Sequence, residues 1–375
     1  MSQRATAVSG WKSALFYALP VVSLMAGLAT RFGAQPVEDM PFLFEILASA
    51  VVTALLLSTV FAVLHHAEEV ADHVGEPYGT LLLTLAVTAI EVSIIVAAML
   101  HGENNPTLAR ESVFSTVMIV CSGLVGACLT LGGLRHGHQD LQRQGTSAFL
   151  SVLVALSVLT LVLPNYTLGT DPGTFSTAQL AFVSGLAVLL YAAFVFAQTV
   201  GSREDFVESL SSPAEKLERS ADGRRVGVNA LLLVSGLLGV VLLAEQVAAG
   251  VENGLTALQV PQADAIMGAL IASLVLMPEA LSAIRAASNN ELQRSLNVAL
   301  GSACATIGLT IPGVAAASLI SGRQLMLGLG PGDSVLLVLA LATSVLSFGT
   351  GRTTVLTGLV HLVVFVSYLF LIAVP

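Results

Sequence analysis

Long apolar stretches, separated by short polar segments, run along almost the whole chain. A bilayer core of about 30 Å requires about 20 consecutive apolar residues in a helix. Eleven stretches meet this length, approximately residues 14–30, 42–64, 79–101, 112–134, 147–164, 178–199, 227–247, 265–285, 296–320, 333–349 and 353–374. Because these stretches are long and nearly free of charge, the pattern predicts an all-α polytopic membrane protein with about 11 transmembrane helices.

The composition agrees with this fold class. Of the 375 residues, 55% are hydrophobic and only 10% are charged, whereas about a quarter of the residues in an ordinary soluble domain are charged. So few charged residues cannot cover a water-soluble fold, which excludes secreted disulfide scaffolds and cytosolic enzymes. The net charge of -9 argues against a nucleic-acid partner. The predicted surroundings are a lipid bilayer.

The positions of Lys and Arg predict the orientation in the membrane, because positive residues are retained on the cytoplasmic side. With the N-terminus inside, only Arg31, Arg110 and Arg323 fall on the outer side, and the other 12 of the 15 fall in inner segments. We therefore expect a multi-pass protein of the cytoplasmic membrane, with a cytoplasmic N-terminus and an outer C-terminus.

A polar stretch near the middle of the chain and a local sequence echo predict two related halves. The sequence AEEVA at 67–71 ends one span, and AEQVA at 244–248 ends another, at opposite predicted faces. This arrangement predicts an inverted repeat, which is typical of transporters with sites at the bilayer midplane. The chain then divides into an extra N-terminal helix, a first five-helix repeat, a cytoplasmic linker and a second five-helix repeat, over residues 1–31, 42–199, 200–226 and 227–375.

Each half has one glutamate near the middle of its second span, Glu91 in LAVTAIEVSII and Glu279 in LVLMPEALSAI. A carboxylate near the bilayer centre costs several kcal/mol, and neither span contains a cationic residue within a turn to form a structural ion pair. Protons and a metal cation compete for the same carboxylate oxygens. Two carboxylates balance one Ca²⁺ or two protons, so the pair predicts a metal and proton site with antiport activity.

Polar groups near the two glutamates are candidate ligands. Pro278 removes one helical hydrogen bond, so we expect it to interrupt the helix and free a carbonyl. Thr88 lies three residues before Glu91, on the same helix face. In the following spans, Thr116 and Ser302 supply hydroxyl groups. The alternative for these hydroxyls is a bond to the preceding helical turn, or a role in close helix packing.

The segment LHHAEEVADHVGEPYG is the densest ionisable cluster and lies on the predicted cytoplasmic side. Its ionisable members are His65, His66, Glu68, Glu69, Asp72, His73 and Glu76. In a helix, His65, Glu69 and His73 share one face at spacings of four, where they could hold a metal or sense pH. Two other interpretations stay open: a solvated helix end, and a funnel that concentrates cations before the membrane site.

Three blocks of sequence resemble the calcium/cation antiporter superfamily, and within it the bacterial calcium (sodium, potassium)/proton antiporters. The blocks are HHAEEVADHVGEPYGTLLLTLAVTAIEVS, MPEALSAIRAASNNELQRSLNVALGSACATIGLTIP and FGTGRTTVLTGLVHLVVF. The resemblance implies a cytoplasmic-membrane exchanger with two inverted five-helix repeats, cation export driven by proton entry, and no cofactor besides the transported ions. It also implies Glu91, Glu279, Ser302 and Thr116 as binding residues.

The residues before each glutamate differ from those of the calcium-specific members of the superfamily. Those members carry a glycine and an asparagine there, whereas this chain has Val87 and Thr88 in one half and Val275 and Leu276 in the other. The similarity to the bacterial antiporters therefore implies Na⁺ and K⁺ as cargo in addition to Ca²⁺.

The residues alone leave two other functions open. A cation channel would also need acidic residues inside the membrane. An intramembrane metalloenzyme could be built on His65, Glu69 and His73, although no HExxH pattern occurs. His361 is the only histidine well inside a span. A lone histidine there is more often a packing residue with satisfied hydrogen bonds, so it stays a weak candidate for the site. The sequence also leaves a homo-oligomer open.

Overall fold

The computed structural model describes residues 2–32, 42–75, 78–100, 105–168, 171–201, 223–258, 260, 262–349 and 351–374. These residues are almost entirely helical. The α-helices are α1 (Ser2–Phe32), α2 (Phe42–Val74), α3 (Tyr78–Leu100), α4 (Leu108–Met118), α5 (Val125–His136), α6 (Arg143–Ser157), α7 (Thr177–Phe196), α8 (Gly223–Ala257), α9 (Ala263–Ser288), α10 (Leu292–Ala305), α11 (Ile311–Ser321), α12 (Pro331–Gly349) and α13 (Val355–Ala373). Among the described residues, 11 helical stretches are long and apolar enough to cross a membrane. This confirms the predicted all-α polytopic fold.

Several spans contain π-helical turns. The π-helical segments are Ile119–Leu124, Val158–Val162, Ala197–Gly201 and Thr306–Thr310, and Leu163–Tyr166 is a 3₁₀-helix. The segment Ile119–Leu124 joins α4 to α5, and Thr306–Thr310 joins α10 to α11. The α4–α5 pair and the α10–α11 pair are each the third span of a predicted repeat. The third span of both halves therefore contains a π-helical segment between two α-helices. Single π-helical turns inside α-helices are frequent at functional sites.

Helix ends follow local capping signals and extend past the apolar stretches. The helix α2 continues to Val74, beyond the predicted end at residue 64, because the polar segment after the apolar stretch is also helical. A reciprocal capping box starts α7 at Ser176, and a second one starts α13 at Thr354. The expected interruption at Pro278 is wrong, since α9 is continuous from Ala263 to Ser288. The proline ring removes one hydrogen bond without ending the helix.

Two short strands join the loop after α5 to the loop before α13. Strand β1 (Gln139–Asp140) pairs antiparallel with β2 (Arg352–Thr353), with Gln139 opposite Thr353. Across this pair, Arg352 Nε donates a hydrogen bond to Asp140 Oδ1 at 2.7 Å. Both loops fall on the predicted cytoplasmic side, so the pairing agrees with the alternation of spans.

The chain folds into two compact units. Unit 1 comprises Met1–Glu103 and Leu217–Val260, and unit 2 comprises Asn104–Lys216 and Pro261–Pro375. Of the described helices, unit 1 contains α1, α2, α3 and α8, and unit 2 contains the others. Each unit combines helices from both predicted repeats. The repeat boundaries along the chain stay a prediction, and most of the predicted linker at 200–226 lies outside the described residues.

Close approach of α4 and α9 organises unit 2. A Cβ atom on Gly268 of α9 would lie 2.6 Å from the carbonyl carbon of Glu111 and 2.7 Å from the amide nitrogen of Ser112. Only glycine permits this contact, because real Cβ atoms do not approach backbone so closely. Small residues at helix contacts are typical of membrane proteins, where packing drives association. This contact fixes the depth of Glu111 relative to α9.

Candidate cation and proton site

In unit 1, α3 holds one of the predicted glutamates inside the apolar part of its span. The Glu91 side chain is only 3% exposed, and Thr88, one turn earlier, is also buried. The neighbouring positions Ile90, Ile94 and Ile95 are almost completely buried as well. A carboxylate and a hydroxyl therefore lie together on successive turns of a helix in apolar surroundings.

In unit 2, α9 holds the second predicted glutamate. The Oε2 atom of Glu279 is inaccessible to solvent and has no hydrogen-bond partner within the described part of the chain. The preceding residue, Pro278, has no N–H, so the carbonyl of Leu274 loses its partner in the helix. A buried carboxylate oxygen without a partner is costly. An oxygen in this state is suited to bind a proton or a cation.

The two predicted hydroxyl ligands of unit 2 lie just before its two corresponding π-helical segments. Thr116 is 1% exposed, and its Oγ1 atom lacks a hydrogen-bond partner among the described residues. Ser302 is partly exposed and lies in the last turns of α10. Unit 2 therefore contains Thr116, Ser302, Pro278 and Glu279.

The cytoplasmic cluster separates into exposed and buried members. Glu68, Glu69, Asp72 and His73 are exposed, and Glu76 lies outside the described residues. The ring of His65 is partly buried and contacts the ring of Phe16, with centroids 4.8 Å apart. No three His, Cys, Asp or Glu side chains among the residues that the structure describes converge in a way that could hold a metal ion.

His66 lies apart from the exposed members of the cluster. It is 0% exposed, with Nδ1 at 2.9 Å from Asn229 Oδ1 and Nε2 at 3.1 Å from the carbonyl oxygen of Phe16. A carbonyl oxygen only accepts, so Nε2 donates this bond. His66 therefore links α2 to both α1 and α8 inside unit 1.

The structure confirms that His361 is a packing residue with satisfied hydrogen bonds. It is 0% exposed, and its Nδ1 atom lies 2.7 Å from the carbonyl oxygen of Cys121, in the π-helical segment of unit 2. The Nε2 atom lies 3.0 Å from Ser347 Oγ. Because the carbonyl can only accept, Nδ1 carries the proton, and Nε2 accepts from the serine hydroxyl.

Sequence reasoning missed a polar cavity of about 480 Å³ in unit 2. Its lining includes Glu111, Asp264 and Asp333, which lie in the first turns of α4, α9 and α12. Charged residues at the ends of apolar stretches are common, so none of the three stood out individually. One sequence signal could have indicated the cavity: three spans that start on the predicted outer side each begin with an acidic residue.

Comparison with known proteins decides the family. The sodium/calcium exchanger protein family matches the chain twice, over residues 44–200 and 228–374. The chain belongs to this family. The two matched segments lie close to the predicted repeats at 42–199 and 227–375, and that division of the chain stays a prediction.

Individual relatives agree with the family match. The chain is 45% identical over 324 residues to the putative ionic transporter y4hA of Sinorhizobium fredii, covering 86% of this chain and 87% of that protein. It is 36% identical over 320 residues to the sodium-potassium/proton antiporter ChaA of Escherichia coli, covering 84% and 86%. The solved structure of the H⁺/Ca²⁺ exchanger CAX has the same fold, with a TM-score of 0.68, 14% identity and coverage of 95% and 87%.

The family match confirms the resemblance to cation antiporters. This sodium/calcium exchanger family member is a multi-pass membrane protein that exchanges inorganic cations, and it is an ion transporter rather than an enzyme. The metalloenzyme interpretation is therefore set aside. The channel interpretation is also set aside, since exchange requires coupled movement of two ions rather than an open pore.

Proposed function

We propose that the protein is a cation/proton antiporter that exports Ca²⁺, Na⁺ and K⁺, or a subset of these, in exchange for protons and without a cofactor. Two relatives support this choice of ions. One is named a sodium-potassium/proton antiporter and aligns with most of this chain. Another, with the same fold, is named an H⁺/Ca²⁺ exchanger. Oxygen ligands of the kind found here suit all three cations, which are hard.

Glu91 and Glu279 bind the exchanged ions in this mechanism. When both carboxylates release their protons, the two negative charges balance one Ca²⁺; when the cation leaves, two protons restore neutrality. Na⁺ or K⁺ balances only one of the two charges. When a monovalent cation is bound, one of the two glutamates therefore keeps its proton, and the cation is exchanged for the other proton. Thr88 in unit 1 and Thr116 and Ser302 in unit 2 supply further oxygen ligands. A further oxygen ligand is the carbonyl of Leu274, which Pro278 leaves without its helical hydrogen bond.

The observation that carries this proposal is the Oε2 atom of Glu279, which is inaccessible to solvent and has no hydrogen-bond partner among the residues that the structure describes. A buried ionised carboxylate with an empty acceptor position is unfavourable, whereas the same oxygen is satisfied when it holds a proton or coordinates a cation. Its environment therefore favours occupancy by one or the other. Competition between the two ligands for one oxygen couples their movements in opposite directions.

We also propose that the protein lies in the cytoplasmic membrane with its N-terminus inside and its C-terminus outside. The exposed acidic residues at the end of α2, Glu68, Glu69 and Asp72, then face the cytoplasm. In that position they raise the local cation concentration before transport. The ion pair between Arg31 and Glu245, at 2.9 Å, joins two residues on the predicted outer side and agrees with this alternation.

Proton flux in everted membrane vesicles tests the proposal. The vesicles hold a pH gradient with an acidic interior. CaCl₂, NaCl, KCl or MgCl₂ is then added in turn at several external pH values. We expect Ca²⁺, Na⁺ or K⁺ to dissipate the gradient only in vesicles that contain the protein. Cation uptake without any proton movement would favour a channel, and no response to any cation would overturn the proposal.

A further inference from the structure

The acidic cavity of unit 2 lies at the end of the unit where several spans begin. Thr107 and Glu111 at the start of α4, Asp264 at the start of α9 and Asp333 at the start of α12 line it, together with Tyr368 near the end of α13. All these helix ends belong to the predicted outer side. The cavity therefore has the position of an outer vestibule.

Two of the three acidic residues are explained by local structure. The carboxylate of Asp264 accepts hydrogen bonds from Asn105 Nδ2 at 2.8 Å and from Thr107 Oγ1 at 2.7 Å, so it ties down the loop before α4. Asp333 lies in the first turn of α12, where a negative charge is favourable near the helix N-terminus, and it is partly exposed. Neither residue needs a further role.

Glu111 differs because it is buried although it lies in the first turn of α4. Its side chain is 8% exposed, and a single carboxylate oxygen, Oε1, accepts from both Nε and Nη2 of Arg110, the former at 2.8 Å. Arg110 also donates from Nη1 to the carbonyl of Gly328 at 2.8 Å, which holds the guanidinium in place. Arg110 thus fixes Oε1 of Glu111, and the side chain still lines the cavity.

Hydroxyl groups continue from Glu111 along α4 and along the π-helical segment that follows it. Tyr368, which lines the cavity, donates a hydrogen bond to Ser115 Oγ at 2.7 Å, one turn below Glu111. The hydroxyls of Ser112, Thr116 and Ser122 are almost completely buried, and they lack hydrogen-bond partners among the described residues. We call Ser112, Ser115, Thr116 and Ser122 the hydroxyl lane. A buried hydroxyl without a protein partner is satisfied by an ordered water where there is space for one.

The depth of the hydroxyl lane matches that of Glu279. Both α4 and α9 begin at the cavity, so they run in the same direction, and Gly268 contacts Glu111. From residue 111 to 122 in one span and from 268 to 279 in the other, the separation is eleven residues in each case. The α-helical rise of 1.5 Å per residue places Glu279 about 16 Å below the contact, near the middle of a bilayer core of about 30 Å. Ser122, which follows α4 in the π-helical segment Ile119–Leu124, lies at a similar depth.

We propose that Glu111 and the hydroxyl lane form the outer proton route to Glu279, with Glu111 as the proton relay at the acidic cavity. This inference rests on the proposed function. A proton from outer water adds to the Glu111 carboxylate, and the resulting carboxylic acid passes that proton to water held by the hydroxyl lane. Glu111 thereby returns to its ionised form, paired with Arg110. Hydroxyls both donate and accept, so they can orient the waters of such a chain.

Comparison of two fluxes in proteoliposomes tests this role. Proton-coupled exchange is followed with an internal pH indicator, and cation self-exchange, which moves no proton, is followed with radioactive Na⁺ and Ca²⁺. We expect Glu111→Gln to slow proton-coupled exchange by at least about a hundredfold, the lower end of the range for loss of a proton-transferring group. Self-exchange should stay within about twofold of the wild type, and Glu111→Asp should restore part of the coupled rate.

Two further variants separate the relay from other roles. Asp333→Asn removes one negative charge from the same cavity, and we expect it to change coupled exchange by less than about twofold. Tyr368→Phe keeps the ring and removes the bond to Ser115, so it should slow coupled exchange and spare self-exchange. Self-exchange that persists also shows that each variant is folded.

Several outcomes would overturn the inference. Normal coupled exchange in Glu111→Gln, or equal slowing by Glu111→Gln and Asp333→Asn, would contradict a relay at Glu111. Loss of both fluxes in Glu111→Gln and Tyr368→Phe alike would assign these residues to folding or to the cation path. A wild type that moves no protons with any cation would overturn the proposed function and this inference with it. The wild-type measurement thus distinguishes failure of the proposed function from failure of the proton route alone.

Discussion

The Nε2 atom of His66 lies 3.1 Å from the carbonyl oxygen of Phe16, and that carbonyl has no partner in its own helix. The partner would be the N–H four residues later, but that residue is Pro20. A histidine of α2 therefore satisfies a backbone group that a proline of α1 has freed. Since Asn229 of α8 holds the other ring nitrogen, one side chain joins three helices of unit 1.

A double-mutant cycle on this relationship should show strong coupling. We expect His66→Leu alone to cost about 1–3 kcal/mol, because it leaves the partly buried Phe16 carbonyl unsatisfied. Pro20→Ala supplies an N–H for that carbonyl, so the cost of His66→Leu should be smaller in the Pro20→Ala background. Thermal unfolding of the purified proteins in detergent measures the cost of His66→Leu in each of the two backgrounds. Equal costs in the two backgrounds would show that the Phe16 bond contributes nothing.

Substitution of Gly268 should separate α9 from α4. We expect Gly268→Val to destabilise the protein by about 1–3 kcal/mol or more, because overpacking forces the backbones apart. Gly185→Ala in α7 is the matched control, since a Cβ there has no atom within 4 Å, and it should change stability by no more than about 1 kcal/mol. The measurement is the unfolding midpoint in detergent. Similar midpoints for both variants would contradict the close contact.

Removal of the Thr116 hydroxyl should affect transport and leave stability unchanged. This hydroxyl is buried and has no hydrogen-bond partner within the described part of the chain, so Thr116→Ala removes no hydrogen bond recorded there. If Thr116 binds the transported ion, the KM for the cation rises. Ser157→Ala is the control, because Ser157 is equally buried and its hydroxyl also lacks a hydrogen-bond partner among the described residues, but it lies in α6, which contains none of the predicted ligands. Equal KM values in both variants would exclude Thr116 as a ligand.

Replacement of Pro278 tests the freed carbonyl. Because α9 is already continuous, Pro278→Ala should fold normally and restore the hydrogen bond to the Leu274 carbonyl. A carbonyl engaged in that bond is a weaker cation ligand, so we expect a higher cation KM with unchanged protein yield. Cation-dependent proton flux in vesicles measures the change. An unchanged KM would show that this carbonyl is not part of the binding site.

Hydropathy predicts the fold because the bilayer imposes one strong requirement on every span. The 11 spans and their order follow from the length of apolar stretches alone. The ends of helices are less well predicted, as for α2, where the polar residues from His65 to Val74 continue the helix past its apolar part. The π-helical segments have no hydropathy signal, since α- and π-helical turns of the same residues are equally apolar.

The candidate site could be predicted only where a residue conflicts with its surroundings. Glu91 and Glu279 stood out because acidic residues are rare near the middle of a span. The role of His66 could not be seen, because it depends on Pro20 in another helix. Glu111 was missed because it begins its span, and only the three-dimensional packing of three helix starts brings it to a cavity.

Exchange by purified protein with single Glu→Gln substitutions tests the central claim most directly. The claim predicts that Glu91→Gln and Glu279→Gln each abolish cation-dependent proton flux in proteoliposomes and leave expression and folding intact. Glu245→Gln is the matched control, because Glu245 also lies in a membrane-spanning helix but pairs with Arg31 at the surface, and it should transport normally. Normal exchange in Glu91→Gln or in Glu279→Gln would contradict the shared use of these two carboxylates.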